Sequence, residues 1–182
     1  MMKTIYALLF LVIMIELSSA QEIGVVDFAV TIVQTPLAVA VVNGAIYENL
    51  IPGVSYEAIA IEDGVAENIN RFNGEESFSP ALIEIEGAPN AQIFVNFSLP
   101  RKLYPRNEGS GVVNMTYDHL SGSLFNPTNG NYQFFNPENG FRFNFPNDGE
   151  RAMIYIGGNP TISPFAPIDE FFGIGVITVE YS

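Results

Sequence analysis

The chain has 182 residues with a formal charge of −13, 48% hydrophobic residues, 15% charged residues and no cysteine. The charge repels phosphate backbones and anionic lipid, which disfavours nucleic acid and direct binding to a membrane surface. The apolar content argues against disorder, and without cysteine there are neither disulfides nor thiolate metal ligands.

Residues 1–20 carry Lys3, an apolar run from Ile5 to Ile15 and a small-residue stretch Ser18-Ser19-Ala20 before Gln21. This is the layout of a secretory signal peptide. The apolar run is shorter than the roughly 20 residues of a membrane span, so residues 21–182 are expected as one exported domain with no membrane insertion after cleavage. Residues 25–33 alternate, with Val26, Phe28, Val30 and Ile32 on one side and Asp27, Ala29 and Thr31 on the other, which predicts a strand. Pro36 interrupts it. A second apolar run covers 37–42, an apolar turn segment 45–53, a third strand 55–61, and a polar connection follows up to the next apolar stretch.

Residues 78–99 read as two period-2 strands joined by one tight turn. Ile83 and Ile85 share a face of the first, and Ile93, Val95, Phe97 and Leu99 a face of the second, with Gly87-Ala88-Pro89-Asn90 between them. The expectation is a hairpin with one apolar face that another sheet must cover. Residues 101–111, with Arg101, Lys102 and Arg106, read as a solvated loop, and 112–117 as a short strand. The hexapeptide Phe125-Asn126-Pro127-Thr128-Asn129-Gly130 recurs as Phe135-Asn136-Pro137-Glu138-Asn139-Gly140 and more loosely at 145–149. Proline presets φ and Asn-Gly tolerates positive φ, so each copy predicts a hairpin turn in a short meander. Residues 152–156 predict a strand, 157–158 a bend, 159–169 a proline-rich loop and 174–181 the last strand. No 3.6-residue amphipathic period accompanies these strands. The predicted fold is all-β, an antiparallel immunoglobulin-like (Greek-key) β-sandwich of about nine or ten strands.

Residues able to carry chemistry are few. His119 is the only histidine; Ser121 and Ser123 are near it in sequence, but neighbours in a loop do not make a catalytic triad. Asp63 and Asp148 sit in acidic, Asn-rich turns that offer oxygen ligands for calcium, yet neither turn has the spacing of an EF-hand loop, and ordinary turns use the same residues. No metal site and no cofactor are therefore assigned. Gly173-Ile174-Gly175 lacks a following helix and reads as a bulge. The aromatics of the repeat region, Tyr132, Phe134, Phe141 and Phe143, are candidates to stack a glycan, against the commoner role of strand aromatics as core. Asn96-Phe97-Ser98 and Asn114-Met115-Thr116 match the N-glycosylation triplet but fall inside predicted strands.

Three segments, AIYENLIPG at 45–53, SPALIEIEGAPNAQIFVNFSLP at 79–100 and MIYIGG with GIGVITVEYS at 153–158 and 173–182, together resemble a family of exported bacterial β-domains whose function is unknown. The resemblance implies an immunoglobulin-like or pilin-like sandwich exported by a Gram-negative bacterium. It brings no catalytic residues. Pilin-like domains assemble when a terminal strand of one subunit completes a sheet of the next, and residues 22–35, with Val26, Phe28, Val30 and Ile32, are the candidate donor; pairing within its own domain is the alternative for that strand. The expected function is a non-enzymatic structural or adhesive protein of the cell surface whose partners are its own copies or other surface proteins. The alternative is a secreted glycan- or protein-binding module using the loops at 125–149. A hydrolase built on His119 stands a distant third.

Overall fold

The computed structural model describes residues 36–62, 77–107, 111–127, 129–146, 151–167 and 169–182, all within one compact unit, Gln34–Ser182. Val26, Phe28, Val30 and Ile32, the calcium candidates Asp63 and Asp148, and residues 1–20 lie outside the described residues. In chain order the strands are β1 (Ala38–Asn43), β2 (Ile46–Glu48), β3 (Ser77–Ser79), β4 (Ala81–Glu86), β5 (Gln92–Ser98), β6 (Lys102–Pro105), β7 (Val113–Thr116), β8 (Gly122–Asn126), β9 (Asn131–Phe135), β10 (Phe141–Asn144), β11 (Ala152–Ile156), β12 (Asn159–Ile162), β13 (Phe171–Phe172) and β14 (Val176–Tyr181). The fold is all-β and its ladders are antiparallel. Fourteen described strands exceed the expected nine or ten because several are only two to four residues long.

Two sheets enclose the main core. One has the order β1-β4-β11-β8-β9 and the other β10-β5-β14. Period-2 alternation sends Ile83 and Ile85 of β4 and Ile154 of β11 inward from the first sheet, and Ile93 and Val95 of β5 inward from the second, all at most 5% exposed. Phe135, Phe141, Phe143 and Phe145 fill one side of this layer; Phe135 and Phe141 stack with centroids 4.2 Å apart. Gly122 sits under the Phe135 ring, where a Cβ would meet that ring at 2.6 Å. A second, smaller core of Tyr56, Val113, Met115 and Ile162 lies on the sheet β12-β7-β6-β13.

The expected hairpin at 78–99 is corrected. β4 and β5 do not pair with each other: β4 lies between β1 and β11, and β5 between β10 and β14. Residues 87–91 carry the chain from one sheet to the other, so the two apolar faces cover each other. Alternation dictates which side chains point inward but is silent on the ladder partner. Asn90 adopts positive φ (60°), and the crossing is held by Asn90 N–H to Phe145 O and Phe145 N–H to Ala91 O.

The repeat divides in the same way. Its first copy is the expected hairpin turn, with Asn126 opposite Asn131 and Gly130 at φ 68°. Its second copy forms a single 3-10 turn, Pro137–Asn139, in which Asn136 Oδ1 accepts from Glu138 N–H at 2.9 Å. That turn joins β9 to β10 in the opposite sheet, so no continuous meander forms. Residues 147–149 of the third copy lie outside the described residues.

Four local expectations also change. Residues 102–105 form β6 and 159–162 form β12, both inside ladders. Pro160, which lacks an N–H, contributes its carbonyl to Tyr56 N–H instead. Residues 55–61 are not a ladder strand: Tyr56, Ala58 and Ala60 alternate inward, but Ala58 N–H donates to Asn159 Oδ1 and Ala60 N–H to Leu120 O. Residues 46–48 are the short strand β2, paired with β3.

Candidate functional site

Among the described residues the two sheets of the sandwich are unequal, five strands against three, and the site lies beside that step. Val39 and Val41 stand opposite Ile85 and Ile83 in the β1–β4 ladder. Directly paired residues share a face, so both valines point to the inner side of the five-stranded sheet. Yet Val39 is 41% and Val41 62% exposed, whereas Ile85 and Ile83 are 0% and 5%. The three-stranded sheet ends at β14, and among the described residues no further strand pairs with its outer edge. β14 presents Ile177, Val179 and Tyr181 inward, each only half-buried.

The gap narrows toward the β4–β5 crossing. There the Leu37 Cδ1 and the Tyr181 hydroxyl lie 3.3 and 3.4 Å from the place a Gly87 Cβ would occupy, and Ala88 N–H donates to that hydroxyl at 3.0 Å. At the opposite end the gap widens into a cleft of about 1010 Å³, with Val41 and Ile46 on one wall, Val176 and Ile177 on the other, and Ile83 and Phe97 at its base. An apolar row extends that second wall. Gly173 and Gly175 lie so close to Leu99, Pro100 and Leu103 that a Cβ would meet side-chain atoms at 2.8 to 3.1 Å. Phe172, Ile174 and Val176 alternate with them and are 56%, 84% and 58% exposed. From sequence alone Gly173-Ile174-Gly175 reads as a bulge. The legible signal was the alternation of large apolar residues with glycines, which gives one apolar face and one face that fits tightly against a neighbour.

Behind the cleft, Gly157 and Gly158 thread between two rings. A Cβ on Gly157 would meet Phe78 at 2.4 Å, and one on Gly158 would meet Tyr117 at 2.6 Å. Tyr47 stacks on Phe78 at 4.8 Å; its hydroxyl donates to Gly158 O and accepts from Gly158 N–H, each at 2.8 Å. Burial pushes the Tyr47 phenol far up, outweighing the lowering effect of the Gly158 contact. Burial, and then the charge of Glu138, pushes Tyr117 up to about 12. These phenols are neutral at physiological pH and act as hydrogen-bonding struts rather than bases.

The other expected residues separate. Phe141 and Phe143 are corrected: at 8% and 7% exposure they belong to the core and offer no face to a ligand. Tyr132 and Phe134 lie on the outer side of the five-stranded sheet, their rings 6.4 Å apart, with Phe125 and Tyr155 5.0 and 6.0 Å from Tyr132. Tyr132 is half-buried, and its hydroxyl accepts from Glu62 N–H at 3.3 Å. His119 is exposed on the turn that follows Asp118. Ser121 is fully buried and donates to Asp118 Oδ1 at 3.2 Å, and Ser123 is fully buried and donates to Ala60 O. Neither serine is presented as a nucleophile. Asn96 and Asn114 are exposed on β5 and β7. Among the described residues no three acidic or histidine side chains cluster to hold a metal, and no helix is long and apolar enough to cross a membrane.

Comparison of the chain with family models, with curated proteins and with solved structures found no match.

Proposed function

We propose that this protein is a non-enzymatic structural subunit of an exported cell-surface assembly, joined to its neighbours by strand addition. One observation carries the reading: an inward-facing pair on the edge strand β1, Val39 and Val41, is left 41% and 62% exposed. An exposed apolar strip on an edge strand calls for an occupant that supplies both apolar side chains and backbone partners. A polypeptide strand supplies both, and a lipid or small apolar molecule only the first. Residues 1–20 support export, and the motifs at 45–53, 79–100 and 173–182 support a pilin-like or immunoglobulin-like reading of the sandwich, with Greek-key connections between its sheets, in a Gram-negative bacterium.

The test is sedimentation with negative-stain microscopy on the full exported chain beside a version lacking residues 22–35. Concentration-dependent polymers from the first and monomers from the second are expected. A monomer at every concentration from the full chain sinks the reading.

The outer aromatic group favours the second reading, a glycan-binding module. Phe134 is 38% exposed beside Tyr132, and rings presented on a sheet face stack sugars. Under that reading, retention on a glycan array is lost in Phe134→Ala while sedimentation is unchanged.

A further inference from the structure

We propose that the outer face of the β12-β7-β6-β13 sheet binds an uncharged polysaccharide of β-linked pyranose rings, stacked on Tyr104 and Phe172 and hydrogen-bonded by the polar row beside them. This goes beyond the strand-addition reading and does not depend on it. It also places the sugar on a different sheet from Phe134.

The face follows from alternation. Val113 and Met115 of β7, Ile162 of β12 and Leu103 of β6 point into the smaller core. Their neighbours along each strand therefore face outward: Asn114 and Thr116 from β7, Thr161 from β12, Lys102 and Tyr104 from β6, all of them exposed. Phe172 stands directly opposite Tyr104 in the β6–β13 ladder, and the two rings, 56% and 55% exposed, share this face. Residues so paired have Cβ atoms about 4.5–5.5 Å apart, so the rings lie side by side. A polar row crosses the sheet next to them, with Thr161 opposite Asn114 and Asn114 opposite Lys102. Ser55 extends that row, its hydroxyl accepting from the Thr161 hydroxyl at 3.0 Å.

The ligand class follows from what this face asks of a partner. Two half-exposed rings offer apolar area to cover, while the hydroxyls, amide and ammonium beside them must keep hydrogen bonds when water leaves. A pyranose ring meets both demands, since its C–H face stacks on an aromatic ring and its rim carries hydroxyls that donate and accept. β-Linked chains of such rings are extended ribbons, which suit a sheet face. A lipid surface covers the rings but replaces none of the hydrogen bonds of the polar row. A nucleic acid stacks on the rings, but its phosphates meet a chain of formal charge −13. A peptide strand seeks backbone partners, which a sheet offers at its edge and not on its face. Arg101 and Arg106, which flank β6, are paired with Glu138 and Glu170, and this leaves the face near neutrality, suited to an uncharged glycan.

The test is retention of the full exported chain on cellulose, on chitin and on the uncharged members of a glycan array, with retention on at least one expected. Tyr104→Leu and Phe172→Leu keep apolar bulk on the strands and remove the ring. Each is expected to weaken retention at least about tenfold, the scale of one aromatic anchor, whereas Tyr104→Phe holds it within about threefold. Both positions are more than half exposed, so the urea midpoints of the leucine variants should match that of the parent. Retention that survives both leucine substitutions overturns the proposal, as does no retention on any of these supports. Retention lost in Phe134→Ala and kept in Tyr104→Leu overturns it in favour of the outer aromatic group on the five-stranded sheet. Flotation with phosphatidylcholine vesicles in place of glycan retention, lost in the same leucine variants, overturns it in favour of a membrane. Sedimentation reads strand addition separately: a chain that is monomeric throughout and still binds glycan defeats that reading and leaves this one standing.

Discussion

Replacing Val41 by serine tests the uncovered valines most directly. Burying a whole valine side chain contributes about 1.5–3 kcal/mol. With 62% of Val41 in water, roughly two-fifths of that, about 0.6–1.2 kcal/mol, stabilises the isolated subunit. The remaining three-fifths, about 0.9–1.9 kcal/mol, becomes available when a strand covers the residue, which corresponds to about a 5- to 25-fold change in association. Val41→Ser is thus expected to lower the unfolding free energy by about 1 kcal/mol in urea and to weaken association about 5- to 25-fold by sedimentation. Val41→Thr keeps the β-branched shape and separates packing from strand propensity: subunit stability should hold within about 0.5 kcal/mol while association falls. A stability loss of about 2 kcal/mol or more with unchanged association would refute the reasoning, because Val41 would then be covered within its own subunit.

Three further outcomes are expected. Ile85→Ala, at a fully buried inward position, should cost about 2–5 kcal/mol in urea unfolding, and a loss under about 1 kcal/mol would remove β4 from the centre of the core. Gly157→Ala places a Cβ 2.4 Å from the Phe78 ring and should lower stability by about 1–3 kcal/mol; an unchanged melting temperature would show that Phe78 does not pack there. Tyr117 and Tyr155 both have folded-state values raised to about 12 from 10, chiefly by burial. The folded state therefore holds their protons more tightly, and the associated stability is full below pH 10 and lost as the pH rises toward 12. Urea midpoints measured from pH 9 to 12 should fall, and less steeply in Tyr117→Phe; an equally steep fall there would assign the effect elsewhere.

Much of the main core was legible. Ile83, Ile85, Ile93, Val95 and Phe97 are inward because alternation in a half-buried strand leaves them nowhere else to go. The pairing of β4 and β5 was not legible, because a connection that folds two strands against each other uses the same Gly, Pro and Asn as one that zips them together. The same holds for the two copies of the repeat, whose turn chemistry matches while their partners differ. Phe141 and Phe143 were offered as binding residues because an alternating aromatic strand looks alike whether its rings face a ligand or a core. The exposure of Val39 and Val41 depends on how the two described sheets overlap, and no single stretch of sequence carries it. The row at Phe172, Ile174 and Val176 was the part of the site within reach of reading, through its interleaved glycines.

The passage of the chain from β4 to β5 across the sandwich also bears on when the molecule folds. β4 takes its ladder partners from residues 38–43 and 152–156, and β5 from 141–144 and 176–181. Neither neighbour is local, so each sheet waits on segments far apart in sequence, and loop closure must precede the contacts that reward it. Folding should consequently fall in the slow range of β-rich domains, milliseconds to seconds. Of the two, the sheet built on β5 is the later to complete, since its last described strand is residues 176–181, at the far end of the chain.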